Sequence, residues 1–123
     1  MQVPDVGFPV EVIEGVPVVV APEDIDITNV AGLRTALLQA ASLGNGTVVV
    51  DMSRTQFCDT AGIHALVGAH KRARAEGGQV LLVGGGDAVL RIFSITGLDR
   101  VIPYFSSLEQ ALAQPPAAHR DRE

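Results

Sequence analysis

Tryptophan is absent from the 123 residues, aromatic residues make up only 4%, and the single cysteine is Cys58. With few aromatics to stack bases, and with a formal net charge of −5 that repels phosphate backbones, the chain is poorly suited to bind nucleic acid. One cysteine excludes an intramolecular disulfide and fits a reducing compartment. Long apolar runs are also missing. Asp51 interrupts one strand-like segment and Lys71 with Arg72 a helix-like one, so nothing approaches the roughly 20 residues that span a bilayer. No basic stretch precedes an apolar run at the N-terminus, unlike a secretory signal. A cytoplasmic protein with no membrane partner is therefore expected. Positive charge is missing from the first quarter of the chain: Asp5, Glu11, Glu14, Glu23, Asp24 and Asp26 all precede Arg34, the first basic residue. A partner docking near this end should be basic there.

What is present is enough for one core. A hydrophobic content of 47% argues against disorder throughout, and the length accommodates one domain rather than two. Residues 1–9, with Pro4, Gly7 and Pro9, read as a loose leader, residues 10–114 as the domain, and residues 115–123, opened by Pro115 and Pro116, as a disordered tail. Val10 to Ile13 and Val16 to Ala21 are β-rich runs separated by Glu14-Gly15, which predicts a hairpin. Apolar residues Val30, Leu33, Leu37, Ala40 and Ala41 recur at helical spacing, with Thr28 or Asn29 as N-cap and Gly44 just past the end. Thr47 to Met52 and Gln79 to Val83 have little alternation and read as strands buried on both faces.

Between those strands a helix is predicted from about Thr60 to Glu76, with Ile63, Leu66, Val67 and His70 on one stripe and Gly77-Gly78 as its stop. Ala88 to Ile95 predicts a short helix ended by Gly97, Val101-Ile102 a brief last strand, and Ser106 or Ser107 the cap of a final helix over Leu108, Ala111 and Leu112. A hairpin followed by alternating strands and helices predicts an α/β fold: a mixed, mainly parallel central sheet with helical crossovers and one antiparallel edge strand.

The most informative stretch is Phe57-Cys58-Asp59-Thr60-Ala61-Gly62-Ile63, between a buried strand and the start of a helix. Either Asp59 or Thr60 can serve as an ordinary N-cap. A hydroxyl held at a helix N-terminus is also a place where phosphate is tolerated by the free N–H groups and the helix dipole. A phosphate on Thr60 adds nearly two negative charges beside Asp59, so a partner matched to the unmodified loop loses contacts or meets repulsion. That chemistry suits an off-switch for binding.

Glu23-Asp24-Ile25-Asp26, then Val48-Val49-Val50-Asp51 leading into Phe57-Cys58-Asp59-Thr60-Ala61-Gly62, then Gly97-Leu98-Asp99, together resemble the STAS domain of bacterial anti-sigma factor antagonists. The resemblance extends from about Val10 to Ala113. It implies a non-enzymatic regulator with no cofactor, whose unphosphorylated form binds an anti-sigma factor serine/threonine kinase and so releases a sigma factor, touched only indirectly. It places the phosphorylation site at Thr60, with a phosphatase restoring the active form, and the partner-binding surface at Asp24, Asp26, Asp59, Thr60, Ala61, Gly62 and His64. Three features depart from the family pattern: Thr stands where Ser is commoner, Ala61 replaces a second hydroxyl residue, and His64 stands where many relatives have a small residue. The alternative from the same family is a constitutive scaffold subunit of a signalling complex, with Thr60 merely a cap.

Other residues carry weaker signals. Asp51 ends a hydrophobic strand as a receiver-domain aspartate does, with Asp24 and Asp26 as imitators of the acidic pair, but the only lysine is Lys71, in mid-helix. Cys58 and His64 suggest a nucleophile and base without a third orienting group, and Cys58 reads better as a small packed hydrophobe. His64 and His70 lack i, i+4 metal-ligand spacing and His119 lies in the tail, so no metal site is expected. Gly84-Gly85-Gly86 lacks both GxGxxG spacing and a P-loop Lys-Ser pair, and reads as a flexible turn. Lys71, Arg72 and Arg74 read as a solvated helix face.

Overall fold

The computed structural model describes residues 8–114, so the remainder of the predicted leader and the whole predicted tail lie outside the described residues. The chain opens with a hairpin, β1 (Val10–Ile13) against β2 (Val16–Val20), paired antiparallel. Its two-residue turn places both Glu14 (φ 54°) and Gly15 (φ 82°) in the left-handed region, the backbone that matches the twist of the flanking strands. Then come β3 (Asp24–Ile25), α1 (Val30–Ala41), β4 (Thr47–Asp51), β5 (Phe57–Cys58), α2 (Thr60–Ala75) and β6 (Gln79–Val83). The chain ends with α3 (Asp87–Thr96), α4 (Leu98–Val101), β7 (Tyr104–Phe105) and α5 (Leu108–Leu112).

Five strands form one sheet in the order β1-β2-β4-β6-β7, in which every pairing but β1 with β2 is parallel. This is the expected mixed α/β sheet with one antiparallel edge. The apolar runs of β4 and β6 lack alternation because both faces are covered. Val48, Val50, Val80 and Leu82 pack with α1 to α4, while Val49, Leu81 and Val83 pack under α5 through Ala111 and Leu108. The leader boundary requires correction. Phe8 is fully buried in the larger core, and Val20 N–H donates to the Pro9 carbonyl at 2.8 Å, so ordered packing begins before Val10.

Three further predictions change. Val101-Ile102 is not a strand: after Gly97 the chain makes another helical turn, Ile102 N–H donating to Leu98 O at 2.9 Å. Pro103 then favours extended backbone at Ile102 (φ −115°, ψ 127°), so the last strand starts at Tyr104. Gly44 does not end α1. Ser42 does, its hydroxyl donating to Gln39 O at 2.8 Å, while Gly44 lies against the Pro17 ring. Two short strands, β3 and β5, are additional to the predicted order and form a separate parallel ladder. The end of α2 is as expected: Gly77 (φ 84°) follows the last turn, and the Gly78 and Gly77 N–H groups donate to Ala73 O and Arg74 O.

Candidate functional site

The β3–β5 ladder carries the acidic segment to the start of α2. Asp24 is paired with Phe57 and Ile25 with Cys58, and Asp59 N–H extends the ladder by donating to Ile25 O at 3.0 Å. Gln56 N–H donates to Glu23 O at 2.7 Å at its other end. Beneath it, buried Thr55 donates its hydroxyl to Pro22 O at 2.8 Å, tying the two segments together. The ladder thus brings the segment of Asp24 and Asp26 to that of Asp59 and Thr60, up to 36 residues later in the sequence.

Asp59 is the N-cap of α2. Its carboxylate accepts from Ala61 N–H at 2.9 Å and Gly62 N–H at 3.2 Å, and its carbonyl accepts from Ile63 N–H. Thr60 is exposed, and among the described residues its hydroxyl has no hydrogen-bond partner. Of the two capping candidates the carboxylate takes the role, and the threonine hydroxyl faces solvent uncommitted. Because Asp59 already occupies the helix-terminal N–H groups, a phosphate on Thr60 would meet that carboxylate rather than free donors.

The 24–29 segment is held by its own side chains. The Thr28 hydroxyl donates to Asp26 Oδ1 and Thr28 N–H donates to the same oxygen at 2.9 Å, which in that order hold the Asp26 carboxyl below its ordinary value. Asn29 bridges Asp26 N–H at 2.9 Å and Asp24 O at 2.8 Å, so it precedes α1 without capping it through its side chain. Asp24 is exposed and Asp26 half-buried.

Ala61 and Gly62 are packing residues: Ala61 is half-buried against the core and Gly62 is buried. His64 is exposed one turn beyond Thr60. Two residues beside the carboxylates were not among the expected docking residues. Phe57 is 45% exposed and Ile27 76% exposed, large apolar side chains flanking the carboxylates. For Phe57 the available signal was strand alternation: if Cys58 points inward, its neighbour points out.

The alternative chemistries find little in the geometry. Cys58 is fully buried, and burial, with the Asp59 charge second, pushes its thiol up to about 12, the reverse of an activated nucleophile. Asp51 accepts from Ser53 N–H at 3.0 Å and from the Ser53 hydroxyl in a local turn. The glycine run packs on that turn, where a Cβ on Gly84 would lie 2.8 Å from Ser53 Oγ. His70 is buried, its Nδ1 accepting from Val80 N–H at 3.1 Å. Among the described residues no group of His, Cys, Asp and Glu is arranged to hold a metal, and no helix is long and apolar enough to cross a membrane.

A mixed, mainly parallel sheet with a two-stranded acidic ladder beside a solvent-facing hydroxyl on a helix start defines a recognisable class of domain. The family model of the STAS domain matches residues 8–111, and the chain belongs to this family. Its fold is close to that of an anti-sigma factor antagonist from Mycobacterium paratuberculosis, with TM-score 0.77 and 28% identity over 91% of this chain and 96% of that one. An anti-sigma-B factor antagonist from Listeria monocytogenes is 32% identical over 66 residues, covering 53% of this chain and 58% of the relative. The Bacillus cell fate determinant SpoIIAA in its phosphorylated form shares the fold with TM-score 0.65 and 20% identity, over 86% of this chain and 96% of that one.

Proposed function

We propose that this protein is an anti-sigma factor antagonist whose unphosphorylated Thr60 loop binds an anti-sigma factor serine/threonine kinase and thereby frees a sigma factor. Phosphorylation of Thr60 ends the binding, and a phosphatase restores it. The observation that carries this reading is the division of labour between neighbours: Asp59 caps α2, leaving the exposed Thr60 hydroxyl without a structural bond. A Thr60 that merely capped the helix would have its oxygen engaged. The family supports the same direction, since its Mycobacterium and Listeria relatives are named as antagonists, and one structural relative is named in a phosphorylated form.

The docking surface consists of Asp24, Asp26, Asp59, Thr60 and His64, widened by Phe57 and Ile27, with Ala61 and Gly62 supporting it from beneath. Its carboxylates call for a basic face on the kinase. Phosphate, added where carboxylates already cluster, changes the charge a partner meets without needing a change of fold. This is binding rather than catalysis, and the uncharged buried thiol of Cys58 has no part in it.

The test is capture from the source organism's lysate with the natural chain, Thr60→Ala and Thr60→Glu, with mass spectrometry of the bound proteins and of Thr60. The natural chain and Thr60→Ala should retain an ATP-binding kinase, and Thr60→Glu should lose it. Capture of the same kinase by all three would remove phosphate control and leave the constitutive scaffold. A natural chain that captures no kinase would remove the antagonist reading itself.

A further inference from the structure

Between α1 and α2 runs a groove of about 110 Å³ whose lining includes Arg34, Leu38, His64, Gly68 and Arg72. Leu38 is 54% exposed within it, and a Cβ on Gly68 would meet nothing within 4 Å, so the floor is apolar and open. Arg34, His64 and Arg72 are exposed around it, and among the described residues none of them has a hydrogen-bond or ion-pair partner. Beyond Arg72 lies a second hollow whose lining includes Ala73 and the exposed Glu76, where the cationic rim ends. From His64 to Arg72 the cationic groove follows α2 for about 12 Å, just over two helical turns.

The sign of its rim is what sets this groove apart. The chain has a net charge of −5, and the edge around Thr60 presents Asp24, Asp26 and Asp59. Farther along α2 the sign reverses, with Arg34 from one helix and Arg72 from the other lining the groove together with His64. A basic or neutral segment would leave these charges unanswered over an apolar floor. An anionic membrane is a poor match, because the Asp59 carboxylate stands at the start of the same helix.

We propose that the α1–α2 groove is a docking site for an acidic amphipathic helix of a partner protein, its carboxylates against Arg34 and Arg72 and its aliphatic side chains over Leu38 and Gly68. Small residues at Ala65, Gly68 and Ala69 let the two backbones approach. The proposal does not depend on modification of Thr60. Together, the acidic Thr60 edge and the cationic groove would present a partner with two adjacent patches of opposite sign, which fixes its orientation.

The test is an NMR titration of the isotope-labelled full chain with two synthetic amphipathic helical peptides of about 12 residues, long enough to cover the two turns between His64 and Arg72. One carries Leu and Glu, the other Leu and Lys at the same positions. The Glu peptide should shift the amides of Arg34, Leu38, His64 and Gly68 saturably, and the effect should weaken with added salt. The double substitution Arg34→Glu/Arg72→Glu should weaken it about tenfold, the loss of two exposed charge pairs. Gly68→Leu, which fills the groove without touching its charges, should also weaken it. Equal response to both peptides, shifts centred elsewhere, or no saturable shift would each overturn the proposal. Thr60→Glu is titrated in parallel, and an unchanged groove response there separates this result from the fate of the phosphate switch.

Discussion

Gly62 packs so closely on Cys58 that a Cβ added to the glycine would lie 2.6 Å from the cysteine Sγ, and 2.7 Å from Ile25 Cγ2. The contact seats the first turn of α2 on the β3–β5 ladder and so sets where Thr60 stands. Gly62→Ala brings a helix-propensity gain of up to about 1 kcal/mol, but overpacking at such distances costs roughly 1–3 kcal/mol and wins. Urea unfolding should show a lower midpoint with an unchanged slope. In a double-mutant cycle, Cys58→Ala should recover part of the loss, and Ile25 should preserve the rest. A Gly62→Ala protein as stable as the natural chain would contradict this packing.

The Asp59 cap should be measurable apart from any binding role. Asp59→Ala leaves the N–H groups of Ala61 and Gly62 without their side-chain acceptor, a loss of about 1–2 kcal/mol. Asp59→Asn keeps an oxygen in the same place and should retain most of the stability. Thr60→Ala, which removes no bond of the described structure, should shift stability by less than about 0.5 kcal/mol. Thermal unfolding of the three variants side by side would separate cap from switch. A comparable loss in Thr60→Ala would return Thr60 to a structural role.

His70 and Val80 make the corresponding test inside the core. Val80 pairs with Val48 of β4 on one side, but β7 pairs with β6 only at Leu82 and Val83, so on that other side the buried Val80 N–H meets no strand and His70 Nδ1 accepts from it at 3.1 Å. His70→Phe keeps an aromatic ring and removes that acceptor. The expected cost is about 1–3 kcal/mol for the unsatisfied buried donor. Hydrogen exchange at Val80 should accelerate beyond the change seen at Leu81 and Leu82; uniform acceleration would mean only global loss of stability.

The elements legible in the sequence are those whose signal is local. The valine run of β4, the Ile63-Leu66-His70 stripe of α2 and the Gly77-Gly78 stop each announce themselves within one segment. The β3–β5 ladder does not, because two-residue strands owe their form to pairing across 33 residues rather than to propensity. Val101-Ile102 looks like a strand because both residues are β-branched, yet Leu98 and Gly97 direct a helical turn there. At the candidate site the loop from Asp59 to Gly62 is readable, but which residue caps the helix depends on the direction of a side chain. The cationic groove is invisible for another reason: Arg34 and Arg72 belong to different helices and share no motif.

Cys58 ties the site to pH. Its thiol is fully buried and its pKa is raised from 9.0 to about 12, mainly by burial and secondarily by the charge of Asp59. Between these values the unfolded chain ionises the thiol and the folded chain does not, so the unfolded state binds fewer protons and stability falls as pH rises. The contribution is therefore intact below about pH 9 and is lost progressively above it. Cys58→Ala should flatten that part of the stability profile while creating a small cavity at neutral pH. Native protein at pH 8 should also resist alkylation by iodoacetamide, and urea should render Cys58 reactive. Rapid native-state alkylation would mean that the ladder beneath Thr60 opens readily. A Cys58→Ala profile that declines above pH 9 as steeply as that of the natural chain would assign the decline to other groups.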